Sequence, residues 1–107
     1  RTLGDVWTEK GKYREGIQLY QRGIAMSEKN RNNSMRAATT HRLAKAYIAL
    51  NRLTEAQVLL EENEKVAIEM GYPEELERTY QVLAELCSKR GDHARAYAYL
   101  KRYTVLH

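Results

Sequence analysis

Tyr80-Gln81-Val82-Leu83-Ala84-Glu85-Leu86-Cys87, followed by Gly91-Asp92-His93 and by Ala96-Tyr97-Ala98-Tyr99-Leu100, is the stretch whose reading decides the fold. Forty residues earlier the same frame returns as Thr40-x-x-Leu43-Ala44-x-x-Tyr47, Asn51-Arg52-Leu53 and Ala56-x-x-x-Leu60. Forty earlier again it reads Leu3-Gly4-x-x-Trp7, Gly11-Lys12-Tyr13 and Gly16-x-x-x-Tyr20. Three copies in register without a gap mean a stacked repeat, in which each unit buries its apolar face against its neighbours.

Each copy reads as two helices. The first runs over Arg1–Lys10 and ends at Gly11, a residue suited to a left-handed cap. The second covers Tyr13–Glu28, where Ile17, Tyr20 and Ile24 recur at helical spacing. A polar, Asn-rich turn follows over Lys29–Asn33, and Ser34 is placed to cap a third helix over Met35–Leu50. Asn51 takes the place of Gly11. The fourth helix spans Leu53–Met70, with Gly71 at its end. Pro73 opens the fifth, which Glu74 and Glu75 favour at its positive end and which Gly91 closes near Arg90. Asp92 caps the sixth, His93–Leu106. Small residues recur at one place on each first helix (Gly4, Ala44, Ala84) and on each second helix (Gly16, Ala56, Ala96). They let paired backbones approach, and Trp7, Tyr47, Leu60, Leu83 and Leu100 fill the space around them.

At these residues the chain resembles the tetratricopeptide repeat family, over nearly all of its length. The 40-residue period is similar to that of the longer-helix members found in kinesin light chains, cell-polarity scaffolds and bacterial signalling proteins. The proline that often closes a repeat is replaced by Glu28 and Ile68. The resemblance implies an all-α fold of three antiparallel helix pairs in a right-handed stack. The repeats fall at about 1–36, 37–76 and 77–107, in one domain cut from a longer protein. It also implies a concave groove lined by the first helices. By place in the repeat that groove holds Asp5, Thr8 and Glu9, then His41, Arg42, Lys45 and Ile48, then Arg78, Gln81, Val82, Glu85 and Lys89. Helical spacing independently sets His41, Lys45 and Ile48 on one stripe, and Arg78, Gln81 or Val82, Glu85 and Lys89 on another.

Some relatives clamp a partner's C-terminal carboxylate at five groove places, which here hold Arg1, Asp5, Arg42, Arg78 and Val82. Asp5 would repel a carboxylate and Val82 has no donor, so that device is not expected. The mixed strip suits a protein or peptide partner carrying acidic groups, drawn by Arg42, Lys45 and Arg78. The runner-up role is a regulatory module. Ala96-Tyr97-x-Tyr99-Leu100-x-x-Tyr103 is similar to the last repeat before the output domain of bacterial GGDEF-type cyclases and sensor kinases.

Charge is distributed against a nucleic-acid surface. Residues 1–36 carry eight Lys/Arg and four Asp/Glu, residues 37–76 four and seven, and residues 77–107 six and three. An acidic middle interrupts what would have to be one basic stripe. The single cysteine excludes a disulfide framework and a cysteine-built zinc site within one chain, and fits a cytoplasmic setting. No apolar run approaches the roughly 18 residues of a membrane span. Eight Tyr and no Phe put hydroxyls at the aromatic packing places. No catalytic residue, cofactor or metal ligand is expected. His41, His93 and His107 are scattered, His93 falls where Tyr13 and Leu53 pack, and Cys87 falls where Trp7 and Tyr47 sit. A nucleophile needs an adjacent base, and the frame places no histidine beside Cys87. The terminal pairs lack polar outer faces, and Tyr99, Leu100, Tyr103, Val105 and Leu106 lie near the end. The expectation is end-to-end self-association or marginal stability alone, with the protein continuing past His107.

Overall fold

A computed structural model describes residues 2–105. Arg1, Leu106 and His107, named above, lie outside them. Among the described residues there are six helices and no strand: α1 (Leu3–Glu9), α2 (Tyr13–Lys29), α3 (Asn33–Ala49), α4 (Leu53–Met70), α5 (Pro73–Lys89) and α6 (His93–Val105). Each helix packs on the next along the chain, and α3 also touches α5 directly. The result is an all-α, tetratricopeptide-like stack of helix pairs.

The turns obey the repeat. Gly11, Asn51 and Gly91 carry φ of 80°, 60° and 80°, each one residue past the C-cap of a first helix. The turns between repeats place Gly71 at φ 70° and, forty residues earlier, Arg31 at φ 55°. The left-handed residue of the Asn-rich turn is therefore an arginine rather than an asparagine. The backbone N–H of Asn32 then reaches the Ser27 carbonyl at 2.8 Å and closes α2.

Caps explain the helix starts. Thr2 and Asp5 form a reciprocal capping box, so α1 begins at Leu3. Asn32, not Ser34, caps α3: its side-chain oxygen accepts from the Met35 N–H at 3.1 Å. Asn32 precedes the first helical residue, Asn33, whereas Ser34 already lies inside the helix. Asp92 caps α6 through the Arg95 N–H at 3.2 Å, as its place predicts.

The core runs through the stack and centres on the second repeat. Ala44, Ala56, Leu60, Leu83 and Leu86 are fully buried, with Leu43, Tyr47 and Cys87 close to it. A Cβ added to Gly4 would lie 2.7 Å from the Tyr20 ring, and one added to Gly16 would run into Thr8 Cγ2 and lie 3.1 Å from the Gly4 carbonyl. These distances are the close approach that the small residues predict. Buried polar groups find partners: within α2 Ser27 Oγ donates to the Gly23 carbonyl at 2.8 Å, and across from α4 to α3 Asn63 Nδ2 donates to the Ala37 carbonyl at 3.3 Å. Two expected packing residues behave otherwise. Leu100 is 47% exposed, because among the described residues no helix lies on the outer side of α6. His93 is exposed, although Tyr13 and Leu53 at its place pack against the core.

Candidate functional site

The strip expected on the first helices is carried by α3 and α5. Arg42, Lys45, Arg78, Gln81, Glu85 and Lys89 are exposed there and His41 is half-buried. Ile48 and Val82 are not surface residues: each is 4% exposed and both join the core. Ile48 lies one turn beyond the buried Ala44 and Val82 adjoins the buried Leu83, so both turn toward the core and not toward the strip.

His41 sits among cations. Burial pushes its imidazole down to about 4, and Arg78, Lys45 and Arg42 push in the same direction. Its Nδ1 is buried without a hydrogen-bond partner. The ring is therefore neutral at neutral pH, and three positive side chains from two repeats bear on one point. Two of the three are loosely engaged by carboxylates. Arg42 Nε lies 3.6 Å from Asp5 and Arg78 Nη1 lies 3.6 Å from Glu75. Both arginines are well exposed, so these pairs contribute at most about 1 kcal/mol each.

Beside this cluster, α1 and α3 enclose an open depression of about 310 Å³. Asp5, Thr8, Glu9, Arg42, Lys45 and Ala49 line it together with Tyr13, Tyr20 and Ala46. Asp5 is its organiser. It completes the α1 cap, accepts from the Tyr20 hydroxyl and faces Arg42. Burial raises its carboxyl, but the bonds from Tyr20 and Thr2 and the Arg42 charge outweigh burial and hold it below its ordinary value. The same contact, after burial, pushes the Tyr20 hydroxyl up to about 12. The Tyr20–Asp5 bond is not legible from sequence. The signal for it is that Tyr20 stands where Leu60 and Leu100 stand, so its hydroxyl needs a partner.

Away from the strip, Tyr80 and Tyr99 stack at 6.1 Å. Arg102 lies over Tyr99 at 5.2 Å and reaches Glu64 at 3.2 Å. These residues floor an open depression of about 620 Å³ on the second-helix side. Cys87 is 2% exposed and burial raises its thiol, as expected of a packing residue. Among the described residues no group of three His, Cys, Asp or Glu side chains is placed to hold a metal ion.

Fold and strip together define a helical-repeat module with an exposed polar face on its first helices. Over 106 residues the chain is 22% identical to human tetratricopeptide repeat protein 29, a match covering 99% of this chain and 22% of that protein. The chain thus spans about a fifth of the length of that relative. No family model matches it. No solved structure matches it either. The repeat frame, the six helices and this similarity support a tetratricopeptide-like repeat, a type of module that serves protein interaction. No helix of the described residues is long and apolar enough to cross a membrane.

Proposed function

We propose that the chain is a protein- or peptide-binding scaffold whose partner lies along the first-helix face, in a right-handed stack of the 40-residue-period type. The units are repeats at about 1–36, 37–76 and 77–107 in one domain of a cytoplasmic protein, and the module itself is not catalytic. The observation that carries the reading is that Arg42 and Lys45 on α3 and Arg78 on α5, from two adjacent repeats, are all exposed on the first helices. Gln81, Glu85 and Lys89 continue that face along α5. Side chains from adjacent repeats on one strip suit an extended segment that touches several repeats at once. The cations favour a segment with acidic groups.

The test is a charge reversal, Lys45→Glu with Arg78→Glu. Both side chains are exposed, so helicity should persist while binding of acidic peptides from a capped peptide array falls at least tenfold. Unchanged binding with intact helicity would move the site to the second-helix face. Tyr97 (68% exposed) and Leu100 (47%) further favour end-to-end association, with α6 of one copy covered by the α1 end of a second. Sedimentation across a concentration series reads this, and a monomer at high concentration refutes it.

A further inference from the structure

The boundary between the second and third repeats carries an assembly that the boundary before it lacks. Tyr80 of α5 and Tyr99 of α6 stack with their ring centroids 6.1 Å apart. The Arg102 guanidinium lies 5.2 Å from the Tyr99 ring centre and 6.0 Å from that of Tyr80. Its Nη1 is 3.2 Å from Glu64 Oε2 on α4, and the Tyr80 hydroxyl also bonds Glu64. Glu61 and Lys65, on the same helix, share with these groups the open depression of about 620 Å³. Forty residues earlier, the places of Tyr80, Tyr99, Arg102, Glu61 and Glu64 hold Thr40, Leu59, Glu62, Gln21 and Ile24. There Thr40 is buried, and Ile24 and Leu59 pack against the core. The repeat frame therefore closes such a boundary without tyrosines, paired carboxylates or an arginine.

Two aromatic rings beside two carboxylates are surroundings that suit a guanidinium. The ring faces attract the cation, and a carboxylate accepts from its fixed fork of N–H donors. Arg102 demonstrates the fit, because its own guanidinium sits there. Its hold is loose: the side chain is 55% exposed, and water screens an ion pair so placed. With Arg102 in position, Glu61 and Glu64 balance Lys65 and Arg102 around the depression. When Arg102 swings out, the remaining groups carry a net negative charge. We propose that Arg102 is the internal occupant of an arginine-binding site on the second-helix face, and that an arginine side chain of a partner protein takes its place over Tyr99 and against Glu64. This site lies off the first-helix strip and does not rest on it. Its preference is also the opposite one, for a basic segment rather than an acidic one.

The probe is acetyl-Gly-Arg-Gly-amide at low salt, with the peptide carrying neutral citrulline in place of arginine as its control. Binding is followed by NMR through the ring signals of Tyr80 and Tyr99, assigned with Tyr80→Phe and Tyr99→Phe. The arginine peptide should move both sets of signals and the citrulline peptide neither. Arg102→Gln should bind the arginine peptide about threefold to fivefold more tightly than the native protein, because no internal ion pair then has to be displaced. Adding Glu64→Gln to Arg102→Gln should remove that gain. Tyr99→Leu installs the residue that the preceding repeat carries at this place, so it should fold, and it should lose the binding. Ring signals that stay unmoved in both the native protein and Arg102→Gln overturn the proposal. So does equal binding of the citrulline peptide, and so does an Arg102→Gln variant that binds no more tightly than the native protein.

Discussion

Leu60 and Leu100 occupy the same place in successive repeats, yet Leu60 is fully buried and Leu100 is 47% exposed. The neighbouring small residues do not differ in this way: Ala56 is at 0% and Ala96 at 4%. The alanine places are covered from within the pair, by α3 on α4 and by α5 on α6. The leucine places need the following repeat. For Leu60 that repeat supplies α5, and no described helix does the same for Leu100. Burial in this molecule is therefore of two kinds. One is complete within a helix pair and the other exists between pairs, which is the nearest-neighbour energetics expected of a stack.

The largest expected effect follows directly. Leu60→Ala removes a fully buried side chain and should cost about 2–5 kcal/mol in chemical denaturation, while Leu100→Ala should cost about 1 kcal/mol or less. Equal costs would erase the distinction between the two kinds of burial. Next comes packing inside a pair. Gly16→Ala brings a Cβ within 3.1 Å of the Gly4 carbonyl, a backbone atom that cannot swing aside. It should destabilise by about 1–3 kcal/mol despite the better helix propensity of alanine, which offsets up to about 1 kcal/mol. A stabilised variant would show that α1 and α2 can slide apart.

The pH dependence tests the strip rather than the core. In the unfolded chain His41 titrates near its ordinary 6.5, and in the fold at about 4. Between those values the unfolded chain binds the extra proton. Its contribution to stability is therefore full above pH 6.5 and is lost as pH falls toward 4. Urea midpoints should decline over that window in the native protein, and His41→Gln should flatten the decline. The smallest effect compares the two turns between repeats. Arg31 holds a left-handed conformation that Gly71 holds at the equivalent place. Arg31→Gly should stabilise by about 0.5–1 kcal/mol in thermal melts, and Gly71→Ala should do the reverse. A destabilised Arg31→Gly would show that the arginine side chain does more for the turn than its backbone costs.

Much of this was legible in the residues. The forty-residue frame named six helices and placed Gly11, Asn51 and Gly91 at turns where the backbone is left-handed. It also placed Cys87 in the core. These features are local or periodic, and a period needs no knowledge of neighbours. The site was only partly legible. Arg42, Lys45 and Arg78 are exposed and His41 is half-buried, whereas Ile48 and Val82, which the same spacing predicts on the strip, lie inside.

What the sequence by itself determined is the repeat, its helix pairs, most of its caps and the polar stripe on each first helix. Those follow from helical periodicity, from the small residues that let helices pair, and from turn residues that tolerate a left-handed backbone. Only the tertiary structure decided which faces meet across repeats. It packed α3 against α5 and took Ile48 and Val82 into the core. It set the Tyr20 hydroxyl on Asp5, and it left His41 neutral among three cations from two helices. The physical reason is that desolvation and charge repulsion depend on through-space neighbours, and in a stack those neighbours come from residues about forty positions away.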